Sequence, residues 1–154
     1  MKNMDFRDIK KVGVVGAGIM GHGIAQVFAQ HGYQVALVSR SEKTLSEALE
    51  MIRLNLIRFV EHGIVQENGI EKIISRIETS TKLGEAMSEV DFVVEAVSED
   101  LNVKRSVFQS LEAARPRHTI LATNTSGLSI TDIASVTEAP ERVVGTHFWN
   151  PPYV

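Results

Sequence analysis

Lys11-Val12-Gly13-Val14-Val15-Gly16-Ala17-Gly18-Ile19-Met20-Gly21 decides the reading of this chain, because a short apolar run passes directly into G-x-G-x-x-G. A strand covered on both faces is continuously apolar rather than alternating, so Lys11–Gly16 predicts a buried parallel strand. A helix is expected from about Ile19 to Gln30, stopped by Gly32. Each glycine then has a steric role. Gly16 makes the tight turn, Gly18 lets backbone approach a pyrophosphate, and Gly21 allows close helix–strand packing. The pyrophosphate would sit on the helix N-terminus at Ile19 and Met20, where free N–H groups and the helix dipole favour an anion. A lone G-x-G-x-x-G carries little weight; the strand before it and the helix after it make it a dinucleotide-binding fingerprint.

Outward from this turn, short apolar runs alternate with longer amphipathic ones. Gln34–Val38 reads as a second strand. Ser41 caps a long helix whose apolar positions Leu45, Ala48, Leu49, Ile52, Leu56, Phe59 and Val60 recur at three- and four-residue spacing down to Gly63. Ile70 to Glu89 is the least legible stretch: a short helix, a strand near Arg76–Thr79, then another short helix. Asp91–Val97 is a strand, followed by a helix with Val103, Val107, Phe108 and Leu111 on one face. Thr119–Thr123 and Arg142–Phe148 are the last strands. Repeated strand–helix–strand units imply an α/β fold with a doubly wound, mostly parallel sheet and right-handed crossovers. No repeat or linker divides the chain, so residues 1–154 read as one domain.

The composition agrees and excludes other classes. A chain of 154 residues, 44% hydrophobic and 23% charged, can bury roughly two-thirds of its unfolded surface in one core. With 16 Lys+Arg against 19 Asp+Glu, no basic stripe could neutralise successive phosphates, so no nucleic-acid partner is expected. The polar start, Met1 to Asp8, and the lack of a long apolar run point away from a membrane span or signal peptide. A cytoplasmic protein is the expectation. The absence of cysteine excludes thiol catalysis. The five histidines show no H-x-x-x-H or carboxylate-paired spacing, so no metal site is expected, and His22 reads as an exposed helical position.

Two regions bear on ligand chemistry. At the end of the second strand, where a carboxylate would accept from an adenosine ribose 2′-OH, the chain reads Val38-Ser39-Arg40-Ser41. A small hydroxyl followed by a guanidinium can bind a 2′-phosphate, with Lys43 as a second cation. Equally, Ser39 can serve a ribose hydroxyl while Arg40 stacks on adenine or points to solvent, so NAD and NADP both stay open. In an open parallel sheet, ligands bind beyond the carboxyl ends of the strands. By position Glu95, Ser98 and Glu99, then Asn124-Thr125-Ser126, then His147 and Asn150 gather there. Taken singly, Ser126-Gly127 is a polar connector, and His147 among Phe148, Trp149 and Pro151 reads as a core histidine. Convergence of separate loops on one edge carries the functional reading.

Gly16–Gly21 continued by Gly23-Ile24-Ala25-Gln26, then Val94-Glu95-Ala96-Val97-Ser98-Glu99, Asn124-Thr125-Ser126 and His147-Phe148-Trp149-Asn150-Pro151, resemble in order and spacing the N-terminal nucleotide-binding (Rossmann) domain of the L-3-hydroxyacyl-CoA dehydrogenase family. The resemblance covers essentially the whole chain. The stretch from Ser41 to about Ile74 resembles that family's helical insertion, with a tail that helps hold acyl-CoA. The resemblance implies that His147 is the base removing the 3-hydroxyl proton while hydride passes to the nicotinamide. It makes Ser126 the hydrogen-bond partner of the reacting oxygen and Asn150 the residue positioning substrate and nicotinamide ribose. Ala96, Val97, Glu99, Lys104 and Asn124, with Ser126 and Asn150, fall on the cofactor side. It further implies an orienting glutamate and a helical C-terminal domain past Val154, which would supply the acyl pocket and most of a homodimer interface. The isolated chain is therefore expected to bind cofactor and turn over poorly or not at all. Fatty acid metabolism is the implied setting. A dehydrogenase of a small free hydroxy acid or sugar acid fits the same motifs. A non-catalytic dinucleotide-binding module is a third reading, against which the joint presence of His147, Ser126 and Asn150 argues.

Overall fold

β1 (Lys11–Val15) is buried from Val12 onward and sits at the centre of the sheet. The structure is a computed structural model that describes residues 5–153; the start at residues 1–4 and Val154 lie outside the described residues. After β1 come α1 (Ile19–Gln30), β2 (Gln34–Val38), α2 (Glu42–Glu61), α3 (Ile70–Ile74), β3 (Ile77–Ser80), α4 (Leu83–Ala86), β4 (Phe92–Glu95), α5 (Leu101–Ala114), β5 (Ile120–Thr123), α6 (Ile130–Ala134) and β6 (Val143–Gly145). The strands form one sheet in the order β3-β2-β1-β4-β5-β6, and all five pairings are parallel. The chain order reverses between β1 and β4, where a crevice opens in doubly wound sheets.

Side chains alternate across the pleat and bury both faces. Val12, Val14, Val35, Leu37 and Val94 pack with α1, α2 and α3. Val15, Ala36, Val38, Val93 and Leu121 pack on the other side with Phe108 and Leu111 of α5 and Ile133 of α6. Ser41 caps α2, its hydroxyl accepting from Thr44 N at 3.2 Å, and Leu45, Ala48, Ile52 and Leu56 form the buried stripe. Leu49 and Val60 are only partly buried beside it. Within that apolar contact, buried Asn55 donates to Gln26 Oε1 of α1 at 3.2 Å, a polar rung that sets how the two helices face each other.

The strand ends lie on one line. Ser80, Val38, Val15, Glu95, Thr123 and Gly145 are successive register partners across the six strands. Two expected strands are shorter than their apolar runs. β4 ends at Glu95 rather than Val97, because Val97 N turns back to the Glu95 side chain at 2.7 Å instead of a neighbouring strand. β6 spans three residues rather than Arg142–Phe148, because Phe148 N leaves the ladder for Asn124 Oδ1 at 2.7 Å. α6, not anticipated from sequence, is a five-residue helix capped by Ser129.

Candidate cofactor cleft and reacting edge

A cleft of about 710 Å³ opens beyond the carboxyl ends of β1, β2 and β4. Its floor is the glycine turn. Gly16 adopts φ +103°, and a Cβ there would lie 2.5 Å from the Ala96 carbonyl oxygen; its N–H donates to Val38 O at 2.8 Å, tying the turn to β2. A Cβ on Gly21 would be driven into the Gly16 carbonyl. Gly16 and Gly21 are thus bare because the protein itself fills the space. Gly18 differs: a Cβ there would meet nothing within 4 Å, and Gly18 lines the cleft. Gly18 also leaves the N-terminus of α1 without a side-chain cap, so the amides of the first turn, at exposed Ile19 and half-buried Met20, have no side-chain acceptor from the cap residue. Open space at Gly18 and uncapped amides fit a pyrophosphate. His22 is buried rather than exposed, because its Nδ1 turns back to Gly18 O at 2.8 Å.

Ser39 and Arg40 line the end of the cleft beyond β2, and Arg40 is the sole charged side chain on its described wall. No carboxylate stands there, and among the described residues no hydrogen bond or ion pair engages Arg40. Lys43 stays off the wall. Its ammonium lies on the outer side of α2, 3.8 Å from Glu47 and 85% exposed. Ala96 and Val97 form the opposite wall.

Farther along the edge, Ser126 Oγ and His147 Nε2 are 3.0 Å apart. Both residues are exposed, which corrects the reading of His147 as a core histidine. Its ring lies against Trp149, centroids 5.2 Å apart. Asn124 joins the two loops, its N–H donating to Glu95 O at 2.8 Å and its Oδ1 accepting from Phe148 N. Asn150 is exposed on the His147 loop, whose far end is pinned where Pro152 packs against Gly23 of α1 and Tyr153 meets Phe59 edge-on.

The Ser126 loop is held by Glu99. Glu99 Oε1 accepts from Thr125 Oγ1 at 2.6 Å, Ser126 N at 2.9 Å and Gly127 N at 3.3 Å. Burial pushes this carboxyl up, but those three donors and the Lys104 charge outweigh it and bring it down to about 2. Glu99 is therefore an ionised acceptor at any physiological pH. Lys104 itself is buried and sits between Glu95 Oε1 at 2.8 Å and Glu99 Oε2 at 3.3 Å, so it bears on the cleft through Glu99 rather than by lining it. Glu95 lies at the carboxyl edge as its position in the sequence predicts, but buried rather than facing a ligand; Thr123, whose hydroxyl donates to Glu95 Oε2 at 2.7 Å, was not among the expected site residues. The signal for Glu95 is a carboxylate closing an otherwise apolar strand with a lysine nine positions on. Among the described residues no cluster of three or more His, Cys, Asp or Glu could hold a metal ion, and no helix is long and apolar enough to cross a membrane.

Comparison with known proteins agrees with this geometry. Residues 11–154 match the family described as 3-hydroxyacyl-CoA dehydrogenase, NAD binding domain. The chain is 41% identical to the 3-hydroxybutyryl-CoA dehydrogenase of Clostridioides difficile over 141 residues, 92% of this chain and 50% of that protein. It is also 41% identical to the mitochondrial hydroxyacyl-coenzyme A dehydrogenase of Rattus norvegicus, covering 93% of this chain and 47% of the other. The crystal structure of 3-hydroxybutyryl-CoA dehydrogenase from Escherichia coli K12 superposes with a TM-score of 0.91 at 41% identity, over 95% of this chain and 31% of that one. The chain thus spans about half the length of these curated relatives. By matched length, shared fold and the glycine cradle at its first crossover, this chain belongs to the family of 3-hydroxyacyl-CoA dehydrogenase NAD-binding domains.

Proposed function

We propose that the chain is the dinucleotide-binding half of an L-3-hydroxyacyl-CoA dehydrogenase, a reading carried by the Ser126–His147 pair, 3.0 Å apart beside the cleft. Two groups this close can both reach one substrate oxygen. In the oxidative direction, neutral His147 takes the 3-hydroxyl proton on Nε2, and in reduction it returns that proton. Ser126 Oγ donates to the same oxygen and stabilises the charge that develops on it. The Trp149 ring lies against the imidazole, and Asn150 orients substrate and ribose from the same loop. Gly16, Gly18, Ile19, Met20 and Gly21 would hold the pyrophosphate, Ser39 and Arg40 the adenosine end, and Ala96, Val97, Glu99 and Asn124 the nicotinamide side. NAD, when bound, supplies the hydride acceptor.

The reading extends to a cytoplasmic homodimer in fatty acid metabolism, completed by a helical C-terminal domain that carries the orienting glutamate and the acyl pocket. The full-length protein, assayed with NADH, is expected to reduce acetoacetyl-CoA with kcat/KM at least on the order of 100-fold above that for free oxo acids or their sugar-acid analogues. Equal or better turnover of a free acid would transfer the reading to the hydroxy-acid dehydrogenases.

The cleft wall favours use of NADP beside NAD. It lacks a carboxylate, and Arg40 is the unengaged cation at its adenosine end. Quenching of Trp149, the single tryptophan, is the readout. NADPH is expected to bind at least as tightly as NADH, and Arg40→Ala to weaken NADPH by about tenfold, or 1.4 kcal/mol, while leaving NADH nearly unchanged. Tenfold tighter NADH binding, with Arg40→Ala silent toward both, would assign Ser39 to a ribose hydroxyl instead.

A further inference from the structure

We propose that Glu95 is a positioning residue for the Ser126–His147 pair, acting through Lys104 and Glu99; this rests on the reading of that pair as the reacting groups. Glu95 is 0% exposed, and a buried carboxylate is retained only where its oxygens are satisfied. Oε2 accepts from Thr123 Oγ1 at 2.7 Å, and Oε1 accepts from Val97 N at 2.7 Å and Lys104 Nζ at 2.8 Å. These bonds fix the Lys104 ammonium, itself 1% exposed, which reaches out to Glu99 Oε2 at 3.3 Å.

Glu99 then collects three donors from residues 125–127 on its other oxygen, and Thr125 Oγ1 accepts in turn from Leu128 N at 3.0 Å. One of those donors is the backbone N–H of Ser126, whose hydroxyl faces His147. A chain of charge-assisted bonds therefore runs from the interior of the sheet to the backbone of the reacting serine. Burial of its inner members, Glu95 and Lys104, strengthens the bonds between them. Glu95 touches neither Ser126 nor His147 and does not line the cleft; what it governs is how firmly Lys104 holds Glu99, and through Glu99 where the loop lies.

Glu95→Gln keeps the shape and removes the charge. With histidine nitrogens isotopically labelled, the Nε2 resonance of His147 is expected to move toward the position it takes in Ser126→Ala. In turnover by the full-length protein, kcat is expected to fall roughly 10–100-fold while KM for the cofactor changes less than about threefold. Glu95→Asp, which keeps the charge but draws it back by one methylene, is expected to shift both readouts in the same direction by less, and it carries the test if Glu95→Gln does not fold. A Glu95 that only stabilises the fold would lower Tm and leave the His147 resonance and kcat at wild-type values; that outcome overturns the proposal. The resonance needs no turnover. A protein without dehydrogenase activity would refute the functional reading yet leave the relay measured, whereas a Ser126→Ala variant with an unmoved His147 resonance would refute the relay.

Discussion

Gly21→Ala is expected to lower the unfolding free energy by about 3 kcal/mol or more and to remove dinucleotide binding. The sign is the opposite of what helix propensity alone suggests. Replacing glycine inside a helix by alanine ordinarily gains about 0.5–1 kcal/mol, because glycine loses more backbone freedom on folding. Here the added methyl would penetrate the Gly16 carbonyl, lying 2.7 Å from its carbon, and neither group can swing aside as a side chain would. α1 must move away from the turn, and Gly16 cannot follow because it is fixed at φ +103° against Ala96. Urea unfolding and NADH titration by Trp149 quenching measure the two effects. Gly18→Ala separates them, since its Cβ meets no protein atom within 4 Å: stability is expected to stay within about 1 kcal/mol of wild type while cofactor affinity falls. Wild-type stability and affinity in Gly21→Ala would mean that α1 and β1 do not pack as described.

The second large effect concerns His147. In the full-length protein His147→Gln is expected to lower kcat by about 10³–10⁴-fold, the scale seen when a catalytic imidazole is removed from an acid–base constellation. Glutamine is chosen because its amide can still hydrogen-bond Ser126 Oγ and so preserve the loop. NADH affinity is expected to stay within about twofold of wild type, since His147 lies outside the glycine cradle. Turnover within tenfold of wild type would remove His147 from the role of base and assign the proton to another group, whereas a wild-type protein that binds NADH without turning over would favour the dinucleotide-binding module without catalysis.

What can be read from sequence follows from how local its cause is. β1, the glycine turn and α1 are legible because strand burial and the steric demand at each glycine are fixed within eleven residues. α2 is legible for a similar reason: Leu45, Ala48, Ile52 and Leu56 repeat with the helical period, and Ser41 marks the start. α6 is not, since five residues from Ile130 make little more than one turn and leave no periodicity to detect. Strand ends are overestimated where apolar residues continue past the last ladder bond, as at Val97 after Ala96 N–H has made the final bond to Val15 O. At the site, Ser126, His147 and Asn150 fall on the expected edge because strand ends predict it. Lys104 lies beneath the cleft rather than on its wall, and His22 lies inside rather than at the surface. Their burial depends on partners distant in sequence or on a ring turning back four residues, and neither leaves a pattern in composition.

The common register line of the strand ends has a consequence for how this architecture tolerates change. The glycine turn leaves β1, the Ser126 loop leaves β5, and β4 lies between them, so their separation is two interstrand steps, about 10 Å. Connecting loops do not enter that measure. Residues added between α2 and β3 would leave the ruler untouched, whereas deleting one residue from β4 or β5 would slide its reactive end by about 3.3 Å and turn its side chains to the opposite face of the sheet. A change of length is therefore accommodated in a connection such as that between α2 and β3 and not within β4 or β5.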